Sequence, residues 1–156
     1  MIEEPAESKG PLASRVREYM TPEPQSLEVG KTLLDAVLMI RRDYVRHIPI
    51  LAHGHLVGLL SDRDVNRLAP SLLIPHTPEE YNRVFADTPL EKVMTRNPRT
   101  IPPDAPLAEA VDLLFRERLG CLPVLDEGKL VGIITVSDML RALYELVRPQ
   151  LSSEQS

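Results

Sequence analysis

The chain of 156 residues has one cysteine, no tryptophan, two phenylalanines and four tyrosines. A single thiol, Cys121, cannot form a disulfide framework within the chain and gives no cysteine set for zinc. With aromatics at 4%, the core has to be built from Leu, Val and Ile. No stretch nears the roughly 18 uninterrupted apolar residues of a membrane helix. The opening "MIEEPAESKG" has no apolar signal region. Net charge is −5 and the pI about 5.4, so bulk charge does not attract a polyanion such as DNA or RNA. A glycine-rich phosphate loop and a nucleophile elbow are both missing. These absences predict a cytoplasmic protein that is not an enzyme and has neither a membrane nor a nucleic acid as partner.

What is present is a duplication. Displaced by 74 positions, Met20-Thr21 falls on Met94-Thr95, Pro24 on Pro98 and Ala36-Val37 on Ala110-Val111. Further on, Pro49 falls on Pro123, Gly54 on Gly128, Val57-Gly58 on Val131-Gly132 and Asp64 on Asp138. Between 20 and 67, fifteen of 48 positions are identical without a gap. Two copies are too few for a solenoid and fit a pair of like units better.

Each copy reads as β-α-β-β-α. Ser14 and Thr88 are expected as N-caps of short helices ending at Met20 and Met94. Prolines then lead into a small strand around Ser26-Leu27 or Thr100-Ile101. Amphipathic helices follow over Thr32–Arg42 and Pro106–Arg118, with Leu33, Ala36, Val37 and Ile40 matched by Leu107, Ala110, Val111 and Leu114. The strands "HIPIL" and "CLPVL" turn back through "AHGH" and "DEGK" into "LVGLL" and "LVGII". A last helix opens at Ser61 or Thr135. The predicted organisation is unit 14–68, connector 69–87 with a helix capped by Thr77, Pro78 and Glu80, unit 88–143, and flexible tails at 1–12 and 150–156.

The order β-α-β-β-α, "VMT" at Val93–Thr95, the proline inside the second strand, and the ending G-h-h-[ST]-x-x-D together resemble the CBS domain, the module named after cystathionine β-synthase. Two tandem copies resemble a CBS pair, or Bateman module, over about Ser14–Leu143. The format, a connector helix between copies and no attached catalytic domain, is similar to the small acetoin-utilisation-type CBS proteins. The resemblance implies an α/β (α+β) fold in which two units pack as a pseudo-twofold pair with two clefts at their junction. It also implies association into a disc-shaped homodimer and the binding of AMP, ADP, ATP or S-adenosylmethionine as ligand, with no required cofactor. The protein would then sense that ligand and regulate an unidentified partner protein. A structural dimerisation module without nucleotide is the alternative.

The repeated hydroxyl and aspartate, Ser61/Asp64 and Thr135/Asp138, admit two readings. One is a capping box, in which the hydroxyl and the acid satisfy backbone N–H groups at a helix start. The other is a ligand site, since the resemblance assigns the Asp to ribose and the hydroxyl to ribose or phosphate. The readings compete for the carboxylate. By the same resemblance Ser26 and Thr100 touch the nucleotide. His47-Ile48 and Cys121-Leu122 line the adenine slot, often through backbone groups, and ordinary strand packing is the competing reading. Arg46 and His47 are candidate anion ligands, and the second copy has Gly120 and Cys121 in their place. His53 and His55 read as exposed turn residues, because two ligands do not make a metal site. Cys121 reads as a buried, inert thiol, and Met20 and Met94 as packing residues at the junction.

Overall fold

Paired hydroxyl and acid residues set helix starts along this chain. The computed structural model, which describes residues 10–68 and 77–153, shows Thr32 donating its N–H and Oγ1–H to Asp35 Oδ2 at 2.9 and 3.0 Å. Helix α2 (Leu33–Asp43) begins there, and the backbone N–H bond of Thr32 is the main cause that lowers the Asp35 pKa. Thr77 and Glu80 exchange backbone bonds at 2.9 and 3.2 Å and open α4 (Pro78–Asp87) as expected. The connector's first part, 69–76, and residues 1–9 and 154–156 lie outside the described residues.

The remaining helices are α1 (Val16–Tyr19), α3 (Asp62–Leu68), α5 (Leu90–Val93), α6 (Leu107–Arg116) and α7 (Val136–Ser153). The strands are β1 (Thr21–Pro22), β2 (Leu27–Glu28), β3 (His47–Ala52), β4 (His55–Ser61), β5 (Thr95–Arg96), β6 (Cys121–Asp126) and β7 (Lys129–Thr135). Both hairpins turn through two residues of positive φ: His53 at 50° with Gly54 at 80°, and Glu127 at 48° with Gly128 at 80°. That geometry matches the twist of the flanking strands and favours glycine at the second position.

Ser14 and Thr88 do not cap helix starts. Ser14 closes a 3-10 turn over Pro11–Ala13, and the N-cap of α1 is Arg15, whose N–H is taken by Glu18 at 2.6 Å. Thr88 ends α4 and donates Oγ1–H to the Val84 carbonyl at 2.6 Å, and Pro89 takes the N-cap of α5. Two pieces expected in the tails are regular structure: Pro11–Ala13 form that turn, and α7 continues through Pro149 to Ser153.

The chain divides into two compact units whose limits differ from those of the sequence repeat. Unit I is Pro24–Arg99 with Gly128–Leu130, and unit II gathers the chain up to Glu23, Thr100–Glu127 and the chain from Val131 onward. In unit I the sheet order is β2-β3-β4-β5. Strand β2 runs parallel to β3, with Leu27 opposite Ile50. Strands β3 and β4 form the hairpin, with His47 opposite Ser61, and β5 lies antiparallel to β4, with Thr95 opposite Leu59. In unit II the order is β1-β7-β6, with Thr21 opposite Ile133 and a parallel bridge from Ile101 to Val124.

The segment that opens each repeat therefore completes the body of the other repeat. Two glycines make room for it. A Cβ on Gly58 would lie 2.8 Å from Met94 Cγ, and one on Gly132 would lie 3.0 Å from Met20 Cγ and 3.1 Å from the Thr21 carbonyl oxygen. Each methionine thus lies across a bare strand backbone inside one unit. Hydrogen bonds from Val16 N–H to Ala105 O and from Leu107 N–H to Ser14 O, both 2.9 Å, anchor α1 in unit II. Leu33 N–H to Thr88 O and Leu90 N–H to Lys31 O do the same for α5 in unit I at 2.8 and 3.1 Å.

Each unit has its own core. Leu33, Ala36, Ile48, Ile50, Leu60 and Leu90 are buried in unit I. Val16, Ile101, Ala110, Leu122, Val124 and Ile134 are buried in unit II. One expected core position departs: Val111, the counterpart of half-buried Val37, is exposed.

Candidate functional site

In unit I the hairpin register brings four of the expected residues together. Strand β4 ends at Ser61, and α3 begins at Asp62. Ser61 donates its N–H and Oγ–H to Asp64 Oδ2 at 3.0 and 2.7 Å, and Asp64 N–H donates back to Ser61 Oγ at 3.1 Å. The capping box is complete, and it occupies one carboxylate oxygen. Oδ1 lies outside it, so the two readings of the aspartate do not exclude each other.

His47 stands opposite Ser61 in the ladder, and Arg46, exposed just before it, accepts the Asp62 N–H on its carbonyl at 2.9 Å. Partial burial holds the His47 imidazole below its ordinary pKa, with Asp62 pulling the other way and Arg46 adding to the depression. Ser26, half-buried, precedes β2, which pairs with β3 at Ile50 rather than at the His47 end. Ile48 is fully buried and belongs to the core, so its side chain packs inward and only its backbone is available to a ligand.

Unit II repeats the box without the basic pair. Thr135 donates its N–H and Oγ1–H to Asp138 Oδ2 at 2.8 and 3.1 Å. Val136 N–H reaches the Gly120 carbonyl at 3.1 Å, the counterpart of the bond between Asp62 and Arg46. Leu122 is fully buried in the core, like Ile48. Cys121 is buried too, and loss of water around the thiol pushes its pKa up to about 12, so it stays protonated and unreactive at neutral pH. Thr100 is half-buried beside the bridge from Ile101 to Val124.

The basic pair has no counterpart in unit II, but a cation from another element stands beside its box. Arg141 Nη2 lies 3.9 Å from Asp138 Oδ1, the oxygen outside the box. The same guanidinium donates to the Tyr19 carbonyl at 2.8 Å and sits 5.1 Å over the Tyr19 ring. The Tyr19 hydroxyl donates to Glu145, and burial with that bond raises its pKa to about 12. A signal for Arg141 was in the repeat, where Arg67 and Arg141 are identical, but only the fold brings α1 beside α7.

His53 and His55 are exposed in the β3–β4 turn. Among the described residues no cluster of three or more His, Cys, Asp or Glu could hold a metal, and no helix is long and apolar enough to cross a membrane.

The model of the CBS domain family matches this chain twice, over residues 16–71 and 90–145. The chain belongs to the CBS domain family. Among its relatives, a CBS domain-containing protein of Dictyostelium discoideum is 29% identical over 136 residues, covering 86% of this chain and 94% of its own. Among solved structures, this CBS pair is similar to a Vibrio cholerae protein assigned to acetoin utilization, with a TM-score of 0.71 and 32% identity. That match covers 93% of this chain and 98% of the other. It is also similar to the CBS-pair protein CBSX2 of Arabidopsis thaliana in complex with AMP, with a TM-score of 0.70 and 25% identity, over 86% of this chain and 98% of that one. The mixed α/β architecture with two sheets is that of these CBS pairs.

Proposed function

We propose that this CBS pair is a regulatory module that senses an adenosine-containing ligand and performs no chemistry of its own. The ligand is AMP, ADP, ATP or S-adenosylmethionine. The observation that carries the reading is the duplicated box at a strand-to-helix junction. In each unit a hydroxyl and one carboxylate oxygen are bound to each other, and the second oxygen is left outside. A carboxylate can accept ribose hydroxyls, as an acidic residue does in dinucleotide folds. The AMP complex of the similar CBSX2 supports the ligand class. In unit I, Asp64 and Ser61 would take the ribose, Arg46 and His47 the phosphate, with Ser26 and the Ile48 backbone at the base. In unit II, Asp138, Thr135 and Thr100 play these parts with the Cys121-Leu122 backbone, and Arg141 is the cation. The protein acts as a homodimer on a partner protein in the cytoplasm.

The test is calorimetry and thermal shift with AMP, ADP, ATP and S-adenosylmethionine on the parent and on D64N/D138N. A ligand at 100 times Kd stabilises by about 2.7 kcal/mol. Removing the charged acceptor costs about 1.5–3 kcal/mol per site, roughly ten- to a hundredfold in affinity. A parent that binds none of the four ligands would leave the boxes as caps and the protein as a dimerisation module.

A further inference from the structure

Helix α4 lies in the connector and belongs to unit I alone. It packs against α2, with the Tyr81 and Phe85 rings tilted on each other at 4.8 Å between centres. Between α2, α3 and α4 there remains a cavity of about 170 Å³. Its wall is mostly apolar, from Val37, Ile40, Val65, Tyr81 and Phe85, and Arg41, Asp62 and Asn66 complete it. Val65 and Phe85 are buried, whereas Arg41 and Asn66 are exposed. The cavity is therefore apolar at its floor and polar at its mouth.

The mouth carries both signs of charge. Among the described residues, the side chains of Arg41, Asp62 and Asn66 form no hydrogen bond and no ion pair, with one another or with the rest. An arginine and an aspartate that border one opening without closing on each other leave room for a ligand that bears both opposite charges. A simple anion would meet repulsion from Asp62, and a simple cation from Arg41. The matching positions of the second repeat are Phe115, Val136 and Leu140. The same framework thus accepts apolar residues at all three places, and the charged mouth is peculiar to unit I. Size selects as well. An apolar cavity of roughly 150 Å³ takes up benzene, so this one admits an apolar group of a few carbons, and a nucleoside is too large for it.

We infer that this cavity is a binding site for a free α-amino acid with a branched apolar side chain, of the leucine type. The side chain lies against Val37, Ile40, Val65 and Phe85 at the floor. The carboxylate meets the Arg41 guanidinium, whose planar fork suits it, the ammonium meets Asp62, and the Asn66 amide can bond to either. Burial of the side chain supplies the affinity. The two charges supply the choice of a zwitterion over molecules of the same shape with one charge. The site uses neither Ser61 nor Asp64, so it stands or falls independently of the nucleotide reading.

Methyl NMR of the full chain titrated with leucine tests it. Saturable shifts are expected at the Val37, Ile40 and Val65 methyls, with a Kd of about 1 mM or tighter, within reach of so small a ligand. Isoamylamine, which is leucine without its carboxylate, and isocaproate, which is leucine without its ammonium, should each bind about tenfold more weakly, as for one lost charged contact. R41Q should weaken leucine about tenfold and leave isoamylamine unchanged. D62N should weaken leucine as much and cause no loss for isocaproate. Far-UV circular dichroism establishes that each variant is folded, and should one not fold, the three ligands on the parent decide. The absence of saturable shifts up to about 10 mM leucine, shifts confined to residues away from the cavity, or equal affinity for leucine and both analogues would overturn the inference. So would a folded R41Q that loses isoamylamine as strongly as leucine.

Discussion

Asp64 and Asp138 each hold a hydroxyl residue through Oδ2, which makes cap and ligand contact separable by measurement. Asparagine keeps one acceptor oxygen, so D64N should retain most of the box, and urea unfolding should show a loss well under the roughly 1 kcal/mol typical of a deleted cap. Its affinity for the adenosine ligand should nevertheless fall at least tenfold. Equal losses in stability and binding would mean that Asp64 serves the helix only. His47 gives the pH dependence. Its pKa in the fold lies below the ordinary 6.5, so between those two values the unfolded chain binds more protons. The stabilisation is present above pH 6.5 and is lost as pH falls through the folded value. Equilibrium unfolding at stepped pH should show that slope, and H47Q should flatten it. Cys121 should resist a maleimide in the native protein and react fully in denaturant; rapid native labelling would contradict its burial.

At the scale of elements, the exchanged segments depend on glycine. On Gly58 a Cβ would meet Met94 Cβ at 3.2 Å as well as the more mobile Cγ, so the side chain cannot simply swing aside. G58A should destabilise by about 1–3 kcal/mol, the usual range for overpacking. Adding M94A should cost less in the G58A background than in the parent, because the clash is already relieved. A double-mutant cycle by chemical denaturation reads this coupling, and strict additivity would mean that the methionine does not hold β5 on β4. Helix α4 is held by Phe85, which is buried in the core of unit I. F85A should cost about 3–5 kcal/mol and should speed amide exchange in α4 before it affects β3 and β4.

At the scale of the whole molecule, segment exchange makes the sequence repeat a poor folding unit. A fragment ending in the connector keeps β2, β3 and β4 but lacks Leu90 and Met94, both core residues of unit I. The complementary fragment lacks Val16 and Tyr19 from the core of unit II. Neither half alone should unfold cooperatively, and mixing the two should restore a cooperative transition; a half that folds as a stable monomer would contradict this. The sequence by itself determined the duplication, the long helices and the hairpin strands of each copy, the Thr77 helix start, both hairpin turns and the pairing of Ser61 with Asp64. These depend on contacts three or four residues apart, or on periods of two and 3.6, and the chain carries them locally. The sequence did not mark the short strands at Thr21–Pro22 and Thr95–Arg96, and it predicted a strand at Thr100-Ile101 where there is only an isolated bridge. Only the tertiary structure decided that Thr21 pairs with Ile133, that Ser14 and Thr88 cap no helix start, that Ile48 and Leu122 turn inward and that Arg141 stands beside Asp138. A two-residue strand has no pattern of its own, and its partner is chosen by a bare glycine more than a hundred positions away. The same limit explains Val111, since periodicity marks a helix face as apolar but does not say what covers it.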